Sequence, residues 1–107
     1  MTLSNDDVQF LEQMVRQLEE TIRELSEREQ GLMRALGAER TAQLRELWAS
    51  QLGREEELEL RRSLDWRDRE LLWMWARLKR ARSARVEAGQ AIMRRARLPS
   101  SASEPGP

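Results

Sequence analysis

The sequence predicts an all-α fold, an elongated coiled coil or a long helical hairpin, on three observations. Val8, Leu11, Val15, Leu18, Ile22, Leu25, Glu29, Leu32 and Leu36 are separated alternately by three and four residues, a heptad ladder with Glu29 as its one polar rung. No proline stands between residues 5 and 98, where only Gly31, Gly37, Gly53 and Gly89 weaken helix propensity. Ala, Leu, Glu, Arg, Gln and Met dominate, while the β-branched residues are Val8, Val15, Ile22, Val86, Ile92 and a few threonines. With 107 residues, 39% apolar and 36% charged, the chain is at most one small domain without a large core of its own.

The first helix is expected over residues 5–36, after a cap region at residues 1–4. Ser4 can accept from the first turn, and Asp6 and Asp7 lie where the helix dipole favours negative charge. Glu12 with Arg16, Glu19 with Arg23 and Glu24 with Arg28 have the spacing of intrahelical ion pairs. The ladder is narrow and wants a partner helix. Val8, Leu11, Val15, Leu18, Ile22, Leu25, Leu32 and Leu36 therefore form a candidate self-association seam, and Val or Ile at a with Leu at d favours a parallel homodimer. The alternative closes the seam inside one chain, as in a hairpin. Met14, Thr21, Met33 and Ala35 at the flanking e and g positions suit three or four helices better than two. Glu29 at an a position is either a fraying point before Gly31 or a device that fixes register.

Beyond Leu36 the heptad would place Glu39, Gln43, Glu46 and Ser50 on the seam, so it fails there. Residues 37–53 are read as a register break or a turn with a short helix: Gly37 is a candidate C-terminal cap, Thr41 a candidate N-cap, and Leu44, Leu47, Trp48 and Leu52 form a new apolar face. Residues 54–98 are read as one long amphipathic helix with a basic C-terminal half. Projected at 100° per residue, Leu60, Leu64, Leu71, Trp75, Leu78, Val86 and Met93 share one face, with Trp66, Trp73, Ala84 and Ala91 opposite. At 1.5 Å per residue the two long helices would measure about 48 and 66 Å, too long for a compact globule of this mass. Residues 99–107, PSSASEPGP, have the composition of a disordered tail.

Catalysis finds little support. The chain has no Cys and no His, no nucleophile elbow and no phosphate-cradling glycine loop, so a non-enzymatic protein without cofactor or metal is expected. The acidic run Glu55, Glu56, Glu57 and Glu59 lacks the turn of a calcium loop and reads as a solvated helix face. The longest apolar run, Leu71 to Ala76, is far short of a membrane span, which makes an intracellular, soluble protein the expectation.

Net charge is zero but polarised. Residues 1–36 hold 4 cations against 8 acids, residues 37–76 hold 7 against 9, and residues 77–107 hold 8 against 2. The basic segment of Arg77, Lys79, Arg80, Arg82, Arg85, Arg94, Arg95 and Arg97 can pair with the acidic first helix of the same or a neighbouring chain, bind an acidic protein, or track nucleic acid or an anionic membrane. Trp66, Trp73, Arg77 and Arg80 are the candidate partner-binding residues, because two tryptophans seven apart among arginines make a face for stacking and cation–π contact. Trp75 is assigned to the core. The functional expectation is a coiled-coil oligomerisation or adaptor protein that mediates protein–protein interaction, with a helical-hairpin chaperone of a secretion or assembly system as one alternative. The other is a basic helix that binds nucleic acid or anionic membrane.

Overall fold

A computed structural model describes the backbone of residues 5–102 and the side chains of residues 6–96. Four helices and no strand are found among the described residues: α1 (Asn5–Leu36), α2 (Ala38–Trp48), α3 (Arg54–Arg62) and α4 (Trp66–Ala102). The protein is all-α. The chain forms two compact units, one of residues 1–23 with 79–107 and the other of residues 24–78. The expected cap at Ser4 lies outside the described residues. Of the expected tail, residues 99–102 continue α4, and the remainder lies outside the description.

In the unit of residues 24–78 the core is made by α1, α2 and α4. Leu25, Leu44, Leu47, Leu71, Met74, Trp75 and Leu78 are buried, while α3 buries no residue. Gly37 is a break between two helices and not a skip within one, and the short helix expected in residues 37–53 is α2. The break is a single residue at φ 90°, whose N–H donates to Met33 O at 2.9 Å and whose carbonyl accepts from Thr41 N at 3.0 Å, so it ends α1 and starts α2 at once. Only glycine takes this φ without strain. Thr41 is accordingly not a cap but a buried α2 residue, and its Oγ1 has no hydrogen-bond partner. α2 ends in a Schellman motif, with Gln51 N donating to Glu46 O at 2.9 Å and Ser50 N to Leu47 O at 3.1 Å. This puts Ser50 at φ 57°, a position glycine usually fills.

The helix expected over 54–98 is two helices. α3 starts at Gly53, whose N–H donates to Glu56 Oε1 at 3.2 Å, and ends at Ser63, whose Oγ donates to Leu60 O at 2.8 Å. α4 then starts afresh from a reciprocal cap. Asp65 Oδ1 accepts from the amides of Arg67 (2.9 Å) and Asp68 (3.0 Å), and Asp68 Oδ2 accepts from Asp65 N (3.0 Å). Two satisfied carboxylates at this spacing outweigh the helix propensity of the surrounding residues.

In the unit of residues 1–23 and 79–107, α1 and α4 run antiparallel, as Asp7 with Arg95 (3.2 Å) and Glu19 with Arg85 (2.8 Å) require. The buried residues on this part of α4 are Ala81 and Ala88, whereas Val86 and Met93 are 52% and 58% exposed. That corrects the 100° projection. Along α4 the buried Leu71, Met74, Leu78, Ala81 and Ala88 follow a seven-residue repeat, and a fixed 100° step drifts by about 20° per heptad from such a repeat. About two heptads of drift at Val86 and three at Met93 carry these residues off the buried face.

Candidate interaction surfaces

The seam residues of α1 fall in both units. In the unit of residues 24–78 Leu25 is buried and Leu32 and Leu36 are half-buried. Glu29 shares this face and accepts from Trp75 Nε1 of α4 at 2.5 Å, so the polar rung is the acceptor that a buried indole N–H needs. In the unit of residues 1–23 and 79–107, Val8, Leu11, Val15, Leu18 and Ile22 are all half-buried, with Val15 beside Ile92 of α4. No described α1 side chain of this unit is buried.

Two of the expected intrahelical ion pairs are replaced. Glu19 bonds Arg85, and Arg28 lies 3.9 Å from Glu70 of α4. Arg23 bonds Glu20 instead of Glu19. Arg85 and Arg95 of the basic segment thus pair with the acidic first helix of their own chain, while Lys79, Arg80, Arg82 and Arg94 stand exposed.

The four tryptophans all lie in residues 24–78 and divide sharply. Trp75 is 9% exposed, against Trp48 with ring centroids 6.2 Å apart, and the Arg45 guanidinium lies 5.8 Å from its ring centre. Trp66 and Trp73 are 68% and 46% exposed on α4. Arg77 sits 4.6 Å from the Trp73 ring centre, and Arg67, the next residue in the chain, 5.6 Å from that of Trp66. The pairing of Trp73 with Arg77 spans one helical turn, which brings the guanidinium over the indole face. Arg80 is exposed within the other unit.

Sequence reasoning missed the most organised polar cluster. Arg40 of α2 donates from Nη2 to Asp68 Oδ2 at 2.7 Å and from Nε to Oδ1 at 3.2 Å, and also bonds the carbonyl and hydroxyl of Ser63 (both 3.1 Å) and Gln43 Oε1 (3.0 Å). The Asp68 side chain is 2% exposed and that of Arg40 25%. The Arg40 bond holds the Asp68 carboxyl below the usual carboxylate range against the opposing effect of burial, with the Asp65 amide helping, and Arg40 is raised in return. The cluster ties α2 to the junction of α3 and α4, and every member has its partners, so it reads as a structural clamp. Its members are far apart in sequence; the local signal that was present is the Asp65–Asp68 cap.

Beside the clamp, Arg40, Gln43, Glu46, Leu52, Glu56, Glu59 and Leu60 line a broad groove of about 710 Å³ between α2 and α3. Its walls carry charges of both signs. No group of three or more His, Cys, Asp or Glu among the described residues is placed to hold a metal ion, and no helix is long and apolar enough to cross a membrane. Compared with known protein families, curated proteins and solved structures, the chain matches none.

Proposed function

We propose that the protein is a non-enzymatic helical adaptor that associates with itself through residues 1–23 and 79–107 and presents Trp66, Trp73 and Arg77 to a helical or acidic protein partner. The observation that carries the self-association is the open seam. Val8, Leu11, Val15, Leu18 and Ile22 are covered by one helix only, and two helices leave such an apolar stripe half in water. A simple parallel coil of two α1 helices would have to break the Glu19–Arg85 and Asp7–Arg95 contacts, so association of intact helix pairs is the arrangement favoured here.

The partner face rests on the contrast between Trp75, which is packed, and Trp66 and Trp73, which keep large apolar rings in water under arginine. An export-type or assembly chaperone built on a helical hairpin would use the same face without self-association. Light scattering of the whole chain over a concentration series tests the reading. A mass that is a multiple of 12.6 kDa supports the self-associating adaptor, and a monomer at every concentration leaves the hairpin chaperone. Loss of partner capture on raising salt, with binding also to DNA, RNA or anionic vesicles, would instead assign Arg77 and Arg80 to a phosphate-binding helix.

A further inference from the structure

We propose that the occupant of the open face in residues 1–23 and 79–107 is a second copy of the same helix pair, laid face to face so that α1 of each copy covers α4 of the other in an antiparallel four-helix layer. This rests on the self-association reading and specifies its geometry.

The face follows from register. Continuing the spacing set by Asp7 with Arg95 and Glu19 with Arg85, Met14 comes about level with Ala91 and Thr21 with Ala84. These four residues occupy the same flanking position of their heptads, g, and antiparallel helices place their g positions on a common side of the pair. All four are half-buried, and Phe10, one residue before Leu11, is 62% exposed. The e side carries Glu12, Glu19 and Arg82, all exposed, with Gly89 and Ala96, while the one charge at a g position of this segment, Asp7, is paired with Arg95. The g side of the pair is therefore the more apolar and the e side the more charged.

Charge chooses the occupant. The α1 segment of this unit carries Asp6, Asp7, Glu12, Glu19 and Glu20 against Arg16 and Arg23. The α4 segment carries Lys79, Arg80, Arg82, Arg85, Arg94, Arg95 and Arg97 against Glu87. A two-fold axis parallel to the helices sets the acidic helix of each copy over the basic helix of the other, antiparallel to it, and keeps Met14 of one copy level with Ala91 of its partner. A face of 19 helical residues, about 28 Å long and two helices (about 20 Å) wide, covers roughly 1,100 Å² counted over both copies, within the range of small specific interfaces.

The chain has no cysteine, so single introduced thiols report pairing without background. Met14→Cys and Ala91→Cys variants of the full chain, mixed and mildly oxidised, are expected to give a covalent dimer carrying one of each, while neither alone does so. Ala91→Arg, which adds a cation to the face, is expected to weaken the dimer by about tenfold or more in light scattering, with helical circular dichroism unchanged. A wild-type chain that is monomeric at every concentration overturns both this geometry and self-association. A wild-type dimer that forms no mixed Met14→Cys/Ala91→Cys species, but cross-links through Leu18→Cys alone, overturns the four-helix layer and leaves self-association through a parallel α1 seam standing.

Discussion

Arg40→Met is expected to destabilise residues 24–78 by about 3 kcal/mol at neutral pH, and the loss should shrink in acid. Removing one partner of a buried ion pair costs about 3 to 5 kcal/mol because the other charge stays behind uncompensated. Here the Arg40 side chain is 25% exposed, so water reaches the vacated space, and Asp68 keeps its bond to the Asp65 amide, which places the figure at the low end. The pH dependence has a definite sign. In the native chain the Asp68 carboxyl is held low, so its contribution is present above the unfolded carboxylate value of about 3.9 and is lost as pH falls through the lower folded value. Without Arg40 the main influence that lowers the carboxyl is gone, and burial then opposes only the Asp65 hydrogen bonds, so most of this pH-dependent contribution disappears. The two curves converge in acid. Urea melts at pH 7 and pH 2, followed by tryptophan fluorescence, measure this directly, since all four tryptophans lie in this unit. Adding Asp68→Asn to Arg40→Met should recover part of the neutral-pH loss. A deficit below about 1 kcal/mol that is the same at both pH values would refute the clamp, because that is the behaviour of an exposed ion pair.

Trp75→Ala should cost about 3 to 5 kcal/mol as a core truncation, whereas Trp73→Ala should change stability by less than about 1 kcal/mol and impair partner capture; equal losses in denaturant melts would place both rings in the core. Glu29→Gln keeps an acceptor for the Trp75 indole and should be nearly neutral, while Glu29→Leu should lose about 1 to 3 kcal/mol by stranding that N–H, despite its greater apolar area. At Ser50, substitution by Gly relieves a left-handed backbone and should raise stability by about 0.5 kcal/mol, after the entropy that glycine adds to the unfolded chain is subtracted. Gly37→Ala forces a side chain into φ 90° and should lower stability by about 1 to 2 kcal/mol, and a higher melting temperature in that variant would contradict the description of the α1–α2 junction.

The helical class and the limits of α1 were legible because they depend on local facts: heptad spacing, the acidic first turn and Gly37 after the last apolar rung. The break at residues 63–65 was equally local. Asp65 and Asp68 have the spacing of a reciprocal cap, but the apolar face that Leu64 and Leu71 share runs across it and implies one unbroken helix. Clamp and indole bond were not legible in this way. Arg40 reaches Asp68 and Glu29 reaches Trp75 only once the helices have packed, and no spacing rule links residues 28 and 46 positions apart. Ala81 and Ala88 are buried positions that the sequence does not reveal, because small side chains give a weak periodic signal. Among the surface residues, Trp66 and Trp73 were separated from Trp75 by helical phase alone, which holds over the two turns in question and degrades further along α4.

The Glu29–Trp75 bond bears on a difficulty built into any heptad sequence. Repeats of seven make sliding nearly degenerate: moved by one heptad along α1, the leucines of α4 again meet leucines, and buried area scarcely distinguishes the displaced state from the native one. The indole does. A slip in either direction would bring Trp75 level with Ile22 or Leu36 instead of Glu29, where its N–H finds no acceptor and the stranded donor costs about 1 to 3 kcal/mol. This contact thus acts with the Glu19–Arg85 and Asp7–Arg95 pairs and the Arg40–Asp68 clamp to raise the displaced states above the native one. A chain carrying Glu29→Leu with Trp75→Phe loses the indole's share of that discrimination and should give broadened or doubled amide resonances around residues 29 and 75, the mark of coexisting alignments.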